Sequence, residues 1–464
     1  MNIRNPKLKT GDSFYVFIWE IEKYMYKILI LTILVLLTFN SFSQNYWKIE
    51  NEYGDEILLT IHLNSEQKTF KAFTRKDALK DLAGIITYTL AKAAGKLKYP
   101  EIVYIEGKTQ NKNDSLQLTG IFNYLDKQFQ FSASISGPNF NGKYIDARNR
   151  SHKLVGIKVL TDKPIKDYAS IINSAFLITE KNLFNKALLQ SSEWVSFRKK
   201  VNELKSKVAD DYELAAVFFW LGKDLPFSPF EIRKTTRRNN ASDRNNEVTF
   251  REVKSNTAVF EANKLPSNQK EMDSIAVAIA KKGYANLVID LRGRANINPC
   301  TANVLVNYLS EKSFNAGIYL TRKWFESNIS IPNVQDYKKS FKSFIEPGYH
   351  AGELYKEPGR YFDVVPVKKP YKGKVYILAD SRTSKTAEVL IYILKNKKIA
   401  TIIGQKTAGA LMLAERIAIN NEYDIYLPVS EYYTGEGRSL DKIGIEPDIK
   451  VSGEDAMKYV LKTF

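Results

Sequence analysis

A strand-turn-helix-strand pattern across residues 374–409 constrains the fold of this chain more than any other stretch. Lys374–Ala379 and Ile399–Ile403 are short apolar runs with β-branched residues, a composition typical of buried strands. Between them, Ser384–Leu394 carries apolar residues at helical spacing, with Ser384 as its predicted N-cap. Such a unit predicts two parallel strands joined by a right-handed crossover. Because sites in these sheets lie at the carboxyl ends of strands, the turn before the helix is the first candidate site.

Composition narrows the class of protein. The 464 residues are 44% apolar and 12% aromatic, which fits two to four globular domains. The net charge is +18, but the lysines are scattered and form no patch, so no nucleic-acid partner is predicted. The single cysteine, Cys300, excludes an internal disulfide, and His62, His152 and His350 lie far apart in sequence. No metal site and no cofactor are therefore predicted.

The N-terminal 44 residues have the parts of an export signal. Within Met25–Gln44, Lys27 supplies a charge and Ile28–Phe39 an apolar run that is too short to span a bilayer. We therefore predict a signal peptide cleaved around Ser43–Gln44, translation from Met25, and a periplasmic or extracellular protein. The alternative is an uncleaved N-terminal anchor, which would be the protein's sole association with a membrane.

Three further regions follow this extension (1–44). Residues 45–160 contain short alternating segments such as Glu56–Leu63, interrupted by a helical segment at Lys76–Lys96, and predict a β-rich module, either a barrel or a sandwich, with lipocalin-like geometry as one option. This module could bind a ligand or be purely structural. Residues 161–247 predict a helical linker whose last part, Arg233–Glu247, is a basic run predicted as a solvated loop without chemistry. Residues 248–464 predict an α/β core, so the whole is a multidomain α+β protein.

The core contains a long aromatic-rich insertion at Lys323–Lys369. It is interpreted either as a lid over a binding site or as an excursion that packs on the core, because aromatic side chains mostly supply burial.

The β-α-β unit resembles the catalytic segment of the tail-specific, or C-terminal processing, serine peptidases, and most of all the tricorn-core-like branch with its Ser-His-Ser-Glu tetrad. The matching positions are Thr383, Ala387, Glu388, Gly404, Thr407, Gly409, Gly444, Pro447 and Asp448. The resemblance covers about residues 210–451 and implies a core of the ClpP/crotonase-like type, a serine peptidase activity, and peptide or protein C-terminal segments as partners.

The positions that would carry this chemistry are substituted. The resemblance places the nucleophile at Lys385, and Pro229 follows Ser228 where the branch has its serine-histidine pair. Asp441 falls near the position of the tetrad glutamate, and Ala410 stands where the processing branch has a lysine base. The resemblance also places an oxyanion donor in the run that contains Gly293 and Arg294, where the expected glycines are replaced. A proline cannot accept or relay a proton.

Three hypotheses about function remain open at this point. In the first, proteolytic activity is lost or reduced and a peptide-binding or scaffold role is retained. In the second, Ser384 acts as the nucleophile of an active endopeptidase, with Lys385 or Lys406 as its base. In the third, the protein binds a ligand through the N-terminal β module.

Overall fold

The computed structural model describes residues 45–463 except 95–97, 126, 147–148, 236–249, 255, 262–267, 294–296 and 347–353. The predicted signal peptide therefore lies outside the described residues. Among those that are described, no helix is both long enough and apolar enough to cross a membrane. The predicted fold class is confirmed: a β barrel, a set of helices and an α/β core follow one another along the chain.

Twenty strands are described, and each is numbered in chain order. They are β1 (Asn45–Asn51), β2 (Glu56–Asn64), β3 (Thr69–Phe73), β4 (Val103–Lys112), β5 (Ser115–Tyr124), β6 (Lys127–Ser136), β7 (Asn139–Ile145), β8 (Ser151–Val159), β9 (Glu231–Lys234), β10 (Phe250–Lys254), β11 (Thr257–Glu261), β12 (Asn286–Asp290), β13 (Phe314–Thr321), β14 (Lys342–Ser343), β15 (Gly359–Val364), β16 (Lys374–Ala379), β17 (Ala400–Gly404), β18 (Leu413–Ala418), β19 (Tyr423–Tyr433) and β20 (Ile449–Lys450).

The described α-helices are numbered in the same way. They are α1 (Ala78–Ala83), α2 (Ile85–Ala93), α3 (Tyr168–Asn182), α4 (Ser192–Leu204), α5 (Asp211–Leu221), α6 (Gln269–Lys282), α7 (Pro299–Leu309), α8 (Arg322–Phe325), α9 (Tyr337–Ser340), α10 (Thr386–Asn396) and α11 (Ala456–Thr463).

Strands β1–β8 form a closed antiparallel barrel, in which β1 pairs with both β2 and β8. Alternate residues of each strand face inward, as the period of a strand requires. Large side chains among them, including Trp47, Phe70, Phe122, Phe131 and Phe140, are buried. The interior of the barrel is therefore a packed core, as in other small barrels whose lumen is filled by side chains.

Helix α5 fastens the barrel to the rest of the molecule. Its N-cap, Asp210, accepts a hydrogen bond from the N–H of Glu213 (2.8 Å) and another from the N–H of Leu58 in β2 (3.1 Å). Asp211 accepts a third from the N–H of Glu56 (2.8 Å). Burial raises the pKa of Asp210 to about 7. Asp210 and Asp211 thus both accept hydrogen bonds from barrel strand β2, and Asp210 also caps the start of α5.

The core sheet has the order β10-β11-β12-β16-β17-β20, and all its neighbours are parallel except β10 and β11. The predicted parallel pairing of the strands on either side of α10 is confirmed. Gly404 ends β17 with φ +132°, and a Cβ there would lie 2.0 Å from the Ala379 carbonyl oxygen. Only glycine permits this approach between the two strands.

A second sheet, β14-β15-β13-β19-β18, lies beside the first, and β9 pairs with β19. The prediction that the basic run starting at Arg233 is a solvated loop is wrong for its first residues, because Arg233 and Lys234 belong to β9. Lys234 is buried, and its ammonium lies 3.0 Å from the Glu422 carboxylate and 3.4 Å from that of Asp211. These carboxylates offset the cost of burying the lysine.

The described part of the aromatic insertion packs on the core. Tyr337, Phe341 and Tyr361 are buried in one cluster with Tyr433 of β19. Burial against the second sheet accounts for these rings and supports the packing interpretation.

Candidate active site

The turn between β16 and α10 ends in a strained residue, Lys385. Its backbone adopts φ 59° and ψ −136°, a combination that residues other than glycine rarely adopt and that costs about 1–3 kcal/mol. The N–H of Lys385 donates to the carbonyl of Ala410 (2.7 Å), which holds the turn in place. No side chain caps α10, whose N-cap position is Lys385. The prediction of Ser384 as N-cap is therefore wrong, since the chain turns at Lys385 and only then becomes helical.

The side chain of Lys385 reaches across a cleft to β19. Its ammonium contacts the hydroxyl of Tyr426 and lies 4.8 Å from the centre of the same ring, within the range of a cation–π interaction. Ser384 lines the same cleft as Lys385. Lys406, the other candidate base, has a half-exposed side chain 3.5 Å from the Glu446 carboxylate.

Glu388 holds the loop that faces Lys385. Its carboxylate is fully buried and accepts hydrogen bonds from the N–H groups of Gly409 (2.7 Å) and Ala410 (2.9 Å) and from the Thr407 hydroxyl. Burial raises the pKa of Glu388, against the opposite effect of these donors. The glutamate and threonine of the resemblance therefore shape the backbone of the cleft.

Ser228 and Asp441, which the resemblance assigns to two positions of the tetrad, lie together. The Ser228 hydroxyl lies 3.2 Å from Oδ2 and 3.4 Å from Oδ1 of Asp441, which also accepts from the N–H of Leu411 (2.9 Å). Burial raises the pKa of Asp441. Pro229 thus lies beside Ser228 and lines the cleft with Lys385, and its side chain cannot accept or relay a proton.

The candidate oxyanion donor, Gly293, is engaged elsewhere. Its N–H donates to Oδ1 of Asp380 (3.1 Å), and the guanidinium of Arg382 pairs with Oδ2 of the same carboxylate (2.6 Å). Burial raises the pKa of Asp380, but these hydrogen bonds outweigh it and lower the pKa below its usual value. Arg294, the second candidate, lies outside the described residues.

The cleft encloses about 290 Å³. Besides Ser384, Lys385 and Pro229, it is lined by residues from β9 and β19 that sequence reasoning missed, namely Glu231, Arg233 and Tyr426. Glu231 and Arg233 form an ion pair, with Arg233 Nε 2.6 Å from the carboxylate. Alternation in the four residues of β9 and the apolar, aromatic composition of β19 were the available signals, but they do not reveal that the two strands pair with each other.

A family model supplies the identification. The model of peptidase family S41 matches residues 321–451. Residues 321–451 of the C-terminal core thus have the sequence pattern of peptidase family S41. The matched segment includes Lys385, Glu388 and Asp441, whereas Ser228 and Pro229 precede it.

Two proteins that are similar to this chain are processing enzymes by name. The carboxy-terminal processing protease CtpB of Bacillus subtilis is 24% identical over 125 residues, which are 27% of this chain and 26% of that protein. The chloroplastic C-terminal processing peptidase of Tetradesmus obliquus is 28% identical over 78 residues, 17% of either protein. The chain thus matches about a quarter or less of these relatives. A solved structure of a lipoprotein from Streptococcus agalactiae is similar over 65% of this chain and 96% of its own, at 13% identity and a TM-score of 0.40.

Proposed function

We propose that this protein is an exported S41 family member whose cleft binds polypeptide segments without hydrolysing them. One observation carries the proposal: a lysine occupies the strained residue at which the resemblance places the nucleophile. A lysine ammonium has three donors and no acceptor. While charged, it cannot attack a carbonyl, but it can bind a carbonyl or carboxylate oxygen of a peptide.

The groups around Lys385 support the same proposal. Hydrolysis by a serine peptidase needs a nucleophile, a base within hydrogen-bond reach and donors for the oxyanion. Pro229 and Ala410 stand at the two positions where the family branches place a base, and neither side chain can take a proton. The N–H of Gly293 is bound to Asp380. Loss of groups that act as a unit removes nearly all of their joint effect on rate.

One observation favours the rival hypothesis of an active endopeptidase: Ser384 lines the cleft beside Lys385. In that hypothesis Lys385, as a neutral amine, would take the proton of the Ser384 hydroxyl. The contact of the Lys385 ammonium with the Tyr426 hydroxyl directs the amine toward β19, which argues against this assignment.

A fluorophosphonate probe separates the two hypotheses, because it labels activated serines. We expect no labelling of the purified protein, at the level of a Ser384→Ala control. Labelling of the wild type that the substitution abolishes would overturn the proposal and establish Ser384 as a nucleophile.

Restoring the missing groups gives a second test. The double substitution Lys385→Ser with Pro229→His would return a serine to the strained residue and an imidazole beside Ser228. We expect the double variant to gain labelling that Lys385→Ser alone lacks. Labelling of the single variant at the same level would mean that the histidine is not the missing base.

Export is the remaining part of the proposal and rests on the sequence of residues 25–44. Intact-mass measurement of the protein recovered from the periplasm or medium of a bacterial host should show an N-terminus close to Gln44. Retention of Met25–Ser43 on protein recovered from membranes would instead establish the N-terminal anchor.

A further inference from the structure

A second cavity lies where the mouth of the barrel meets β9, β18 and β19. It encloses about 710 Å³, more than twice the volume of the cleft at Lys385. Barrel strands contribute aromatic side chains to its wall, and the second sheet contributes basic ones. Its main lining residues are Phe122, Phe129, Tyr144, His152, Arg233 and Arg416.

The barrel side of this cavity is a wall of stacked rings. The rings of Phe122 and Tyr144 are stacked with centres 5.1 Å apart, and those of Tyr144 and His152 with centres 4.8 Å apart. Phe129 lies against Tyr144 at 5.5 Å. Such faces bind apolar and aromatic side chains with little loss of conformational entropy, because the rings are already held by their neighbours.

The acidic groups in this cavity are matched by partners within the protein. Asp211 accepts from the Tyr168 hydroxyl (3.0 Å) and lies 3.4 Å from the Lys234 ammonium. Asp146 pairs with Arg150 (2.6 Å) and with His152 (3.1 Å).

Arg416 in β18 differs from these groups. Its side chain is half-buried, and across the described ranges that side chain forms no ion pair or hydrogen bond. Among the described lining residues, the cations without an ion pair are this half-buried guanidinium and the exposed ammonium of Lys127. A guanidinium favours a carboxylate because two of its N–H groups can donate to it in parallel.

The cavity and the cleft are adjacent. Arg233 lines both of them, so one extended chain could lie in both at once. A single bound polypeptide could therefore occupy the cleft at Lys385 and also contact the aromatic wall and the Arg416 guanidinium of the neighbouring cavity.

We propose that this cavity is a second binding site, which holds a segment of the polypeptide bound at Lys385 by an apolar or aromatic side chain and an adjacent carboxylate. The ring wall of Phe122, Phe129 and Tyr144 receives the side chain, and Arg416 receives the carboxylate. The identity of the ligand as a polypeptide rests on the proposed function, whereas the requirement for a carboxylate rests on Arg416.

Fluorescence anisotropy with defined peptides tests the site on the full chain. The probe is a fluorescein-labelled peptide of alternating phenylalanine and glutamate, compared with one in which glutamine replaces glutamate. Arg416→Gln should weaken binding of the acidic peptide by about tenfold, the usual effect of losing one charge-assisted pair. It should leave binding of the glutamine peptide with an amidated C-terminus unaffected. Arg438→Gln is the matched control, since the Arg438 side chain is 68% exposed and lines neither cavity.

Two further arms make the result decisive. Arg416→Glu should reverse the preference toward a phenylalanine-lysine peptide, which a loss of folding would not do, and Arg416→Lys should retain most of the affinity. Comparison of amidated and free-acid forms of the glutamine peptide separates a side-chain carboxylate from a C-terminal one. If the cavity binds a C-terminal carboxylate, Arg416 strengthens binding of the free-acid form alone.

The outcomes distinguish this site from the cleft. Equal affinity of the wild type and Arg416→Gln for the acidic peptide would overturn the second site. If Lys385→Ala still weakened binding in that case, the proposed function of the cleft would stand. No binding of any peptide by the wild type would overturn both proposals.

Discussion

The rear and the front of the cleft differ in what they have kept. The rear, defined as Glu388, Thr407, Ser228 and Asp441, retains residue types that the resemblance predicts or close equivalents, and its side chains are joined by hydrogen bonds. The front is the pair Ser384 and Lys385 with Pro229, Ala410 and Tyr426 facing them. In the proposed function, these are the residues that differ from the pattern of the resemblance, at the positions where a proton would have to move.

The difference follows from burial. At the rear, carboxylates accept hydrogen bonds from backbone N–H groups that are buried or partly buried, and a buried donor without a partner costs about 1–3 kcal/mol. Those residues would be retained for folding whether or not catalysis is. At the front, side chains face an open cleft, so a substitution alters chemistry while the backbone hydrogen bonds persist.

The largest expected effect is at Glu388. Glu388→Ala should leave the N–H groups of Gly409 and Ala410 without their acceptor and lower the free energy of unfolding by about 3–5 kcal/mol. Urea denaturation followed by circular dichroism measures it. Glu388→Gln is the control, because its amide oxygen still accepts one bond, and about half of the loss is expected. A loss of less than about 1 kcal/mol in the alanine variant would show that the rear does not hold the fold.

The contribution of Asp441, at the rear of the cleft, to the free energy of unfolding should depend on pH. Its pKa in the folded state is raised by burial, so the folded state binds this proton more tightly than the unfolded state does. Its contribution to stability is complete below the unfolded pKa of about 3.9 and is lost as pH rises through the folded pKa. Each tenfold difference in proton affinity corresponds to about 1.4 kcal/mol.

Asp441→Asn removes that dependence while the amide oxygen can still accept from Leu411. The free energy of unfolding of the wild type, less that of the variant, should therefore fall as pH is raised from acid to neutral. Denaturation at a series of pH values measures the difference. A difference that rises with pH would mean that the carboxylate is stabilised by its donors more than it is penalised by burial.

Sequence reasoning recovered what depends on local periodicity. The strands around α10, the helices of the linker and the β-rich character of residues 45–160 follow from short-range patterns. It missed the second sheet, because β9 and β19 pair across a long stretch of sequence and no local signal gives their register. Arg233, Tyr426 and Arg416 reach their cavities only through that pairing.

The resemblance was the stronger guide to the site itself. It assigned Ser228 and Asp441 to two positions of one tetrad, and the structure places these two residues in contact. The conformation of Lys385 could not be predicted from the resemblance, because only the structure shows that this lysine lies in a strained φ/ψ region. The engagement of Gly293 by Asp380 likewise depends on two strands being neighbours.

The front can be tested through this strain. At Lys385, glycine and alanine both remove the contact with Tyr426, but only glycine relaxes the backbone. Lys385→Gly should therefore be more stable than Lys385→Ala by about 1 kcal/mol. The matched position is Lys372, which is exposed and has no positive φ, and there alanine should be the more stable of the two, by about 0.5–1 kcal/mol. Thermal unfolding of the four variants gives both differences. If alanine is the more stable of the two at both positions, then the backbone of Lys385 is not strained.

A small effect is also expected at Ser228, where rear and front meet. In a working tetrad this serine would orient a histidine, but here Pro229 leaves it with Asp441 alone. Ser228→Ala should cost only the net value of one hydrogen bond, about 0.5–1.5 kcal/mol, and should not change peptide affinity at the cleft. In the double variant that restores Lys385→Ser and Pro229→His, the same substitution should lower fluorophosphonate labelling, because the serine then has a base to orient. Labelling that is insensitive to Ser228→Ala in that background would show that the contact with Asp441 is structural only, and that the rear of the cleft no longer holds any part of a catalytic arrangement.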